Sequence, residues 1–340
     1  MSVNDDLAEA LRLRQINLLR HQVSVRDQIN GYLDTLTKAI VAEIISVSPS
    51  EPARDLYRQG RVDKLIEAVS GLVSSSYKNI KGYHLKEMAS LADAEAFFLI
   101  GKVNELIGKD AAALDLSASE ALSLVKTSLM SGATLPNWWD GQDEATQRAF
   151  EQQMRIGVLS GETDQQLINR VRGTAALSYK DGIMETSRRS AKILVRGASA
   201  MVSTAITTKA VLDNPDEFEG IQQISVLDGR TSATCISYAG KVWSLPGYKP
   251  VGHSLPYNGG VPRHPNCRSK EIPVLNKSLG GAPAHDVDFG TFLEGKSDEF
   301  TDQLLGKGRA KLYEDGKITL SDLVDQQGRP LTLEELKSLH

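Results

Sequence analysis

The side chains best suited to chemistry in this 340-residue chain gather in one stretch. Between Leu227 and Ser269 lie both cysteines, Cys235 and Cys267, and two of the six histidines, His253 and His264. Cys235, His264 and Cys267 are soft N/S ligands, and His264 stands three residues before Cys267. A structural zinc takes four such ligands in tetrahedral array, usually offered as two close pairs. Here one close pair is present, so the fourth ligand would be His253, Asp228 or water. A Cys–His nucleophile is a second chemistry, pairing Cys267 with His264 or Cys235 with His253. It needs a thiolate activated by the imidazole, and no third orienting group is evident. In a third reading the cysteines pack as small apolar side chains while His264 binds a loop carbonyl. No catalytic residue is assigned. No cofactor is expected unless the Cys/His set takes zinc.

The residues around these groups read as a rigid frame. Five of the twelve prolines, at positions 246, 250, 256, 262 and 265, fall in the same stretch. Proline fixes φ and removes a donor, so the segment is expected to be built from loops. Asp228-Gly229 is a strong turn signal. Asp228 should accept backbone N–H groups there, and Arg230 should pair with it or with another loop carboxylate, as could Arg268. IQQISVL (221–227), KVW (241–243) and KEIPVL (270–275) read as short strands. Together they predict a small α+β module.

The elements that must position this module are helical. Val25, Ile29, Leu33, Leu36, Ile40 and Ile44 recur at a helical period from about Asp5 to Ser46, stopped by Pro49 and Pro52. Helices continue to about Ser131, with one stripe from Val62 to Val73 and a broader one from Met88 to Ile107 that includes Phe97 and Phe98. Ser117 with Glu120, Thr163 with Gln166 and Thr332 with Glu335 fit capping boxes. LPNWWDG (135–141) reads as a hinge. Its Trp138 and Trp139 are either a docking anchor or a cap on the core. A helix follows from about Asp143 to Leu159. Another runs from about Lys180 to Leu212, with a break expected near Gly197. Between Arg170 and Lys209 stand eight basic residues against two acidic ones. Arg188, Arg189, Lys192 and Arg196 are therefore candidates for contact with DNA phosphates or an acidic partner.

Composition narrows the classes further. A net charge of −4 gives no global signature of nucleic-acid binding, so any basic surface must be local. No run of about 18 apolar residues predicts a membrane span. Two cysteines in a chain of this length suggest synthesis in a reducing cytoplasm. The expected fold is mainly α, with a multi-helix N-terminal body and the small α+β module near the C-terminus. Expected divisions are 1–135, 136–275 and 276–340, the last a linker and helical tail.

Asp-Gly-Arg-Thr (228–231), Cys235, Gly-Lys-Val-Trp (240–243) and His-Pro-Asn-Cys-Arg (264–268) occur in that order. The pattern resembles the Mu F-like family of phage head morphogenesis proteins, also called minor head or minor capsid proteins. The resemblance covers roughly residues 145–275. It marks Asp228, Arg230, Thr231, Gly240, Asn266 and Arg268 as motif residues. Many relatives carry further cysteines where this chain has Ser232 and Ser269, which departs from a four-ligand set. The resemblance implies a structural role: a few copies inside the capsid, bound to the portal protein and to the major capsid or scaffold interior, in some cases touching packaged DNA. Such a protein is made in the host cytoplasm and ends in the virion. A DNA- or zinc-binding module and a Cys/His hydrolase or toxin-like effector are the alternatives.

Overall fold

A computed structural model of the chain describes residues 2–47, 60–285 and 287–339. It is mainly helical, with a small antiparallel sheet in the C-terminal half, as expected. Helix α1 spans Val3–Val47, α2 Arg61–Ile107 and α3 Ala118–Thr127. A two-residue strand pair, β1 (Leu129–Met130) and β2 (Ala133–Thr134), leads into α4 (Leu135–Leu159), α5 (Asp164–Arg172) and α6 (Ile183–Asp213). Pro49 and Pro52 lie outside the described residues. Among the described residues, no helix is long and apolar enough to cross a membrane.

Local chemistry explains several boundaries. The three capping boxes form: Ser117 with Glu120, Thr163 with Gln166 and Thr332 with Glu335. Residues 135–141 are the first turns of α4 rather than a hinge. Thr134 caps that helix through Asn137 N–H, and Pro136 sits in its first turn, where its missing N–H costs nothing. Helix α6 runs unbroken through Gly197, because that glycine admits the Met130 side chain against the helix. The apolar stripe on α2 is narrower than expected, since Phe97 is 84% exposed.

Strand β3 (Phe218–Ile224) is followed by a short helix, α7 (Ala233–Tyr238), and then by β4 (Val242–Ser244), β5 (Lys249–Val251) and β6 (Lys270–Leu275). The sheet order is β5-β4-β3-β6, antiparallel throughout, with Ile221 opposite both Trp243 and Pro273. Pro273 is tolerated because β6 is an edge strand. That edge is capped by Asn4 of α1, whose side chain donates to Pro273 O and accepts from Leu275 N–H. The remaining helices are α8 (Phe289–Leu293), α9 (Asp298–Leu305), α10 (Lys307–Glu314) and α11 (Leu333–Lys337). Gly306, at φ +82°, separates α9 from α10.

The chain forms two compact units. One contains Met1–Leu18, Ala89–Gly132 and Gly197–His340; the other contains Leu19–Met88 and Ala133–Arg196. In the first, Ile236 of α7 and Ala239 just after it pack against Phe289, Leu305, Ala310, Leu312, Ile318, Leu323 and Leu336. The C-terminal segment is thus core-forming, with each fully buried large apolar side chain worth about 1.5–3 kcal/mol. Glu95, 4% exposed, accepts from Arg14, Ser203 and the buried Lys270. In the second unit, Trp139 is buried and donates to the fully buried His84, which makes it a core residue rather than a docking anchor. Trp138 is half-buried.

Candidate functional site

The turn after β3 begins the site. Asp228 accepts the Arg230 N–H at 2.9 Å, and Thr231 N–H returns to Asp228 O at 3.2 Å. Thr231 Oγ1 donates to Val226 O. Ser232 then caps α7, accepting Cys235 N–H, and the helix carries Cys235 into the interior at 2% exposure. Forty residues later, Arg268 grips the same Asp228 with two nitrogens, at 2.6 and 2.7 Å. A bidentate pair of this kind is strong and directional. Its Arg268 hydrogen bonds outweigh partial burial and hold the Asp228 carboxyl well below the usual carboxylate range. Arg230, whose side chain is 84% exposed, approaches Asp228 only to 3.5 Å.

The second half of the motif turns back on α7. Asn266 adopts φ +61°, a left-handed conformation that asparagine tolerates better than most residues, and Cys267 N–H closes the turn on His264 O. His264 Nδ1–H donates to Pro265 O at 2.8 Å, so in the neutral ring Nε2 bears the lone pair. That Nε2 lies 3.1 Å from Cys235 Sγ and 2.8 Å from Ser232 Oγ. The two sulfurs are 3.6 Å apart. Hydrogen bonding between the thiols moves them in opposite directions, Cys267 down and Cys235 up. The bond to Cys267 likewise outweighs burial and raises His264.

These three groups, with ligand atoms all within 4.8 Å of one another, could hold a metal ion. Tetrahedral zinc with about 2.3 Å Zn–S bonds places two sulfurs about 3.7 Å apart, close to the spacing here. The carbonyl on Nδ1 is the usual orienting contact of a metal-binding histidine. His253 stands apart from the cluster: its Nε2–H donates to Val242 O at 2.8 Å and Nδ1 accepts Leu255 N–H. Asp228 is committed to Arg268. Ser232 and Ser269 both reach the Cys235 thiol, and Ser269 also meets Ser225 at 2.9 Å. As a nucleophile the cluster is handicapped by burial, with Cys267 only 4% exposed.

Beneath the cluster lies a polar knot that sequence reasoning missed. Arg263 stacks 3.6 Å above the Tyr238 ring, donates to Gln223 Oε1 and donates to Tyr257 O at 2.8 Å. Tyr257 O–H and Val261 N–H both donate to Glu271, which is fully buried on β6. Burial raises Glu271 to about 7, partly opposed by Arg263. Trp243, also fully buried, stacks on Tyr238 and ties the loop through Leu255 O. Gly240 is needed in its turn, since φ is +78° and a side chain would strike Asp288. The one available signal was the all-buried strand KEIPVL, whose Lys270 and Glu271 demand partners.

The basic candidates share one face of α6, since positions 188, 189, 192 and 196 fall within about 100° of helical rotation. Arg188 is paired with Asp34, and Arg189 with Glu185. Lys192 is exposed and Arg196 is half-buried. Two of the four charges are therefore already neutralised, which weakens the stripe as a phosphate clamp. Comparison with family models, with curated proteins and with solved structures finds no match to this chain.

Proposed function

We propose that this chain is a phage minor head protein, a non-catalytic component of the capsid interior that binds the portal protein and takes part in head assembly. The observation that supports this most is the convergence of the separated motif pieces. Asp228, Ser232 and Cys235 from the first half meet Arg268, His264 and Cys267 from the second, within one hydrogen-bonded frame whose two cysteines are buried. A frame of this kind suits a structural module better than a reaction centre. The ion we assign to the Cys235–His264–Cys267 cluster is zinc, held for stability, with Ser232 or water completing the shell. Contact with packaged DNA is left to Lys192, which is exposed on the stripe.

The test is particle composition. Mass spectrometry of purified virions should find the chain in fewer copies than the major capsid protein, and the purified protein should contain zinc that Cys267→Ser removes. Absence from both virions and procapsids overturns the capsid reading. Absence of zinc leaves the cluster as a hydrogen-bonded thiol pair.

A further inference from the structure

The second unit contains a cleft that the motif does not touch. Its volume is about 540 Å³, within the usual range of ligand sites. One wall is the face of α4 that carries Gln142, Ala145, Ala149 and Gln153. The floor comes from α5 through Gln166, Asn169 and Arg170, and the far wall is the start of α6. Both walls are fixed by glycines. A side chain at Gly157 would strike Leu167 and Glu162, and one at Gly182 would strike the backbone of Arg172 and Gly173. The cleft is therefore preformed, which lowers the ordering cost of binding.

Its chemistry is specific. Gln153 Oε1 accepts from Arg170, Gln166 Oε1 accepts Thr163 N–H at 2.8 Å, and Asn169 Oδ1 accepts from Gln165 at 3.1 Å. With their oxygens committed, these amides have –NH2 donors to offer, which suit carbonyl acceptors. Among the described residues lining the cleft, Arg170 is the one cation, and it is bound to Glu162 through two nitrogens. Glu162 and Asp181 outweigh it, so a phosphate would meet net negative charge. None of the described lining residues is aromatic, so nucleobases and sugars lack a stacking surface.

Three apolar side chains are exposed near the cleft. Ile156, 48% exposed, continues the same face of α4 one turn beyond Gln153. Leu177 and Tyr179 are exposed in the loop between Thr174 and Asp181, both of which line the cleft. From Gln142 to Gln153 the α4 wall runs about 17 Å at 1.5 Å per residue. That length fits about five residues of extended chain.

We propose that this cleft binds an extended peptide segment of a partner protein, its carbonyls taken by Gln153, Gln166 and Asn169 and its apolar side chains by Ile156, Leu177 and Tyr179. The assignment is independent of the capsid reading, because it uses no motif residue. Random 12-residue peptides displayed on yeast should be selected on the intact chain and titrated against Ala145→Trp and Thr186→Trp. Both substitutions place a large ring from an exposed lining position, so at least one should fold with the parent's melting temperature. Enriched peptides that share an uncharged, apolar-anchored pattern and bind the folded variant at least tenfold more weakly are the expected result. No enrichment, or equal affinity for the parent and the filled variant, overturns the proposal.

Discussion

At the scale of single residues, scarcity made part of the site legible. Two cysteines and a nearby His-Pro are conspicuous in a sequence, and they do converge around α7. Arg263, Glu271 and Asn4 were not legible, because common polar residues acquire their roles only from what folds against them. Glu271 offers a test with a definite sign. Its folded value is raised from about 4.5 to about 7 by burial. The folded chain thus keeps a proton that the unfolded chain releases. The linked stability is complete below about pH 4.5 and is lost as pH rises through about 7. A shift of this size corresponds to about 3 kcal/mol. Glu271→Gln cannot titrate, so its stability relative to the parent should improve by up to that amount between about pH 5 and pH 8. Taking the difference between variant and parent cancels titrations that do not involve Glu271, including that of the buried His84, whose shift is downward. A difference that stays flat across this range would mean Glu271 is already ionised in its buried site.

Among the elements, strong periodicity and capping were readable and context-dependent breaks were not. The stripe from Val25 to Ile44 gives α1, and KEIPVL gives β6 with its limits unchanged. Gly197 carries the same local signal as a helix break, yet in α6 it is a packing glycine against Met130. The run from Pro136 to Gly141 looked like a hinge because its proline and glycine suit turns, but Thr134 converts it into a helix start. α7 was missed because six residues are too few to show a period. These distinctions make glycine substitutions informative. A methyl group at Gly220 would collide with the Trp243 carbonyl across the β3–β4 ladder, whereas at Gly31 in α1 nothing lies within 4 Å. Gly31→Ala should therefore stabilise the protein by about 0.5–1 kcal/mol through helix propensity. Gly220→Ala should destabilise it by roughly 1–3 kcal/mol, since the strand pair must separate to accept it. Chemical denaturation of both variants reads the two signs directly, and a neutral Gly220→Ala would mean that β4 gives way without cost.

For the whole molecule, packing groups stretches that the sequence separates. A reading along the chain divides it into consecutive pieces, whereas each compact unit draws on stretches far apart in number. Residues 197–340 hold the complete motif, the sheet and the C-terminal core, so they look self-sufficient on paper. They lack contacts that the fold uses, among them two on β6. Glu95, from α2, is the counter-charge to Lys270, which is itself only 4% exposed. Asn4, from α1, satisfies the outer edge of β6. Removing one member of a buried ion pair typically costs about 3–5 kcal/mol, a large share of a stability of about 5–15 kcal/mol. A fragment of residues 197–340 should therefore unfold without a cooperative transition. Lys270→Met in that fragment removes the stranded charge and should restore part of the cooperativity, although the same substitution in the full chain takes a buried counter-charge from Glu95, leaving it Arg14 and Ser203, and is destabilising. A fragment that melts cooperatively at the full-length temperature would show that α1 and α2 are dispensable to the module, and that Glu95 and Asn4 only decorate it.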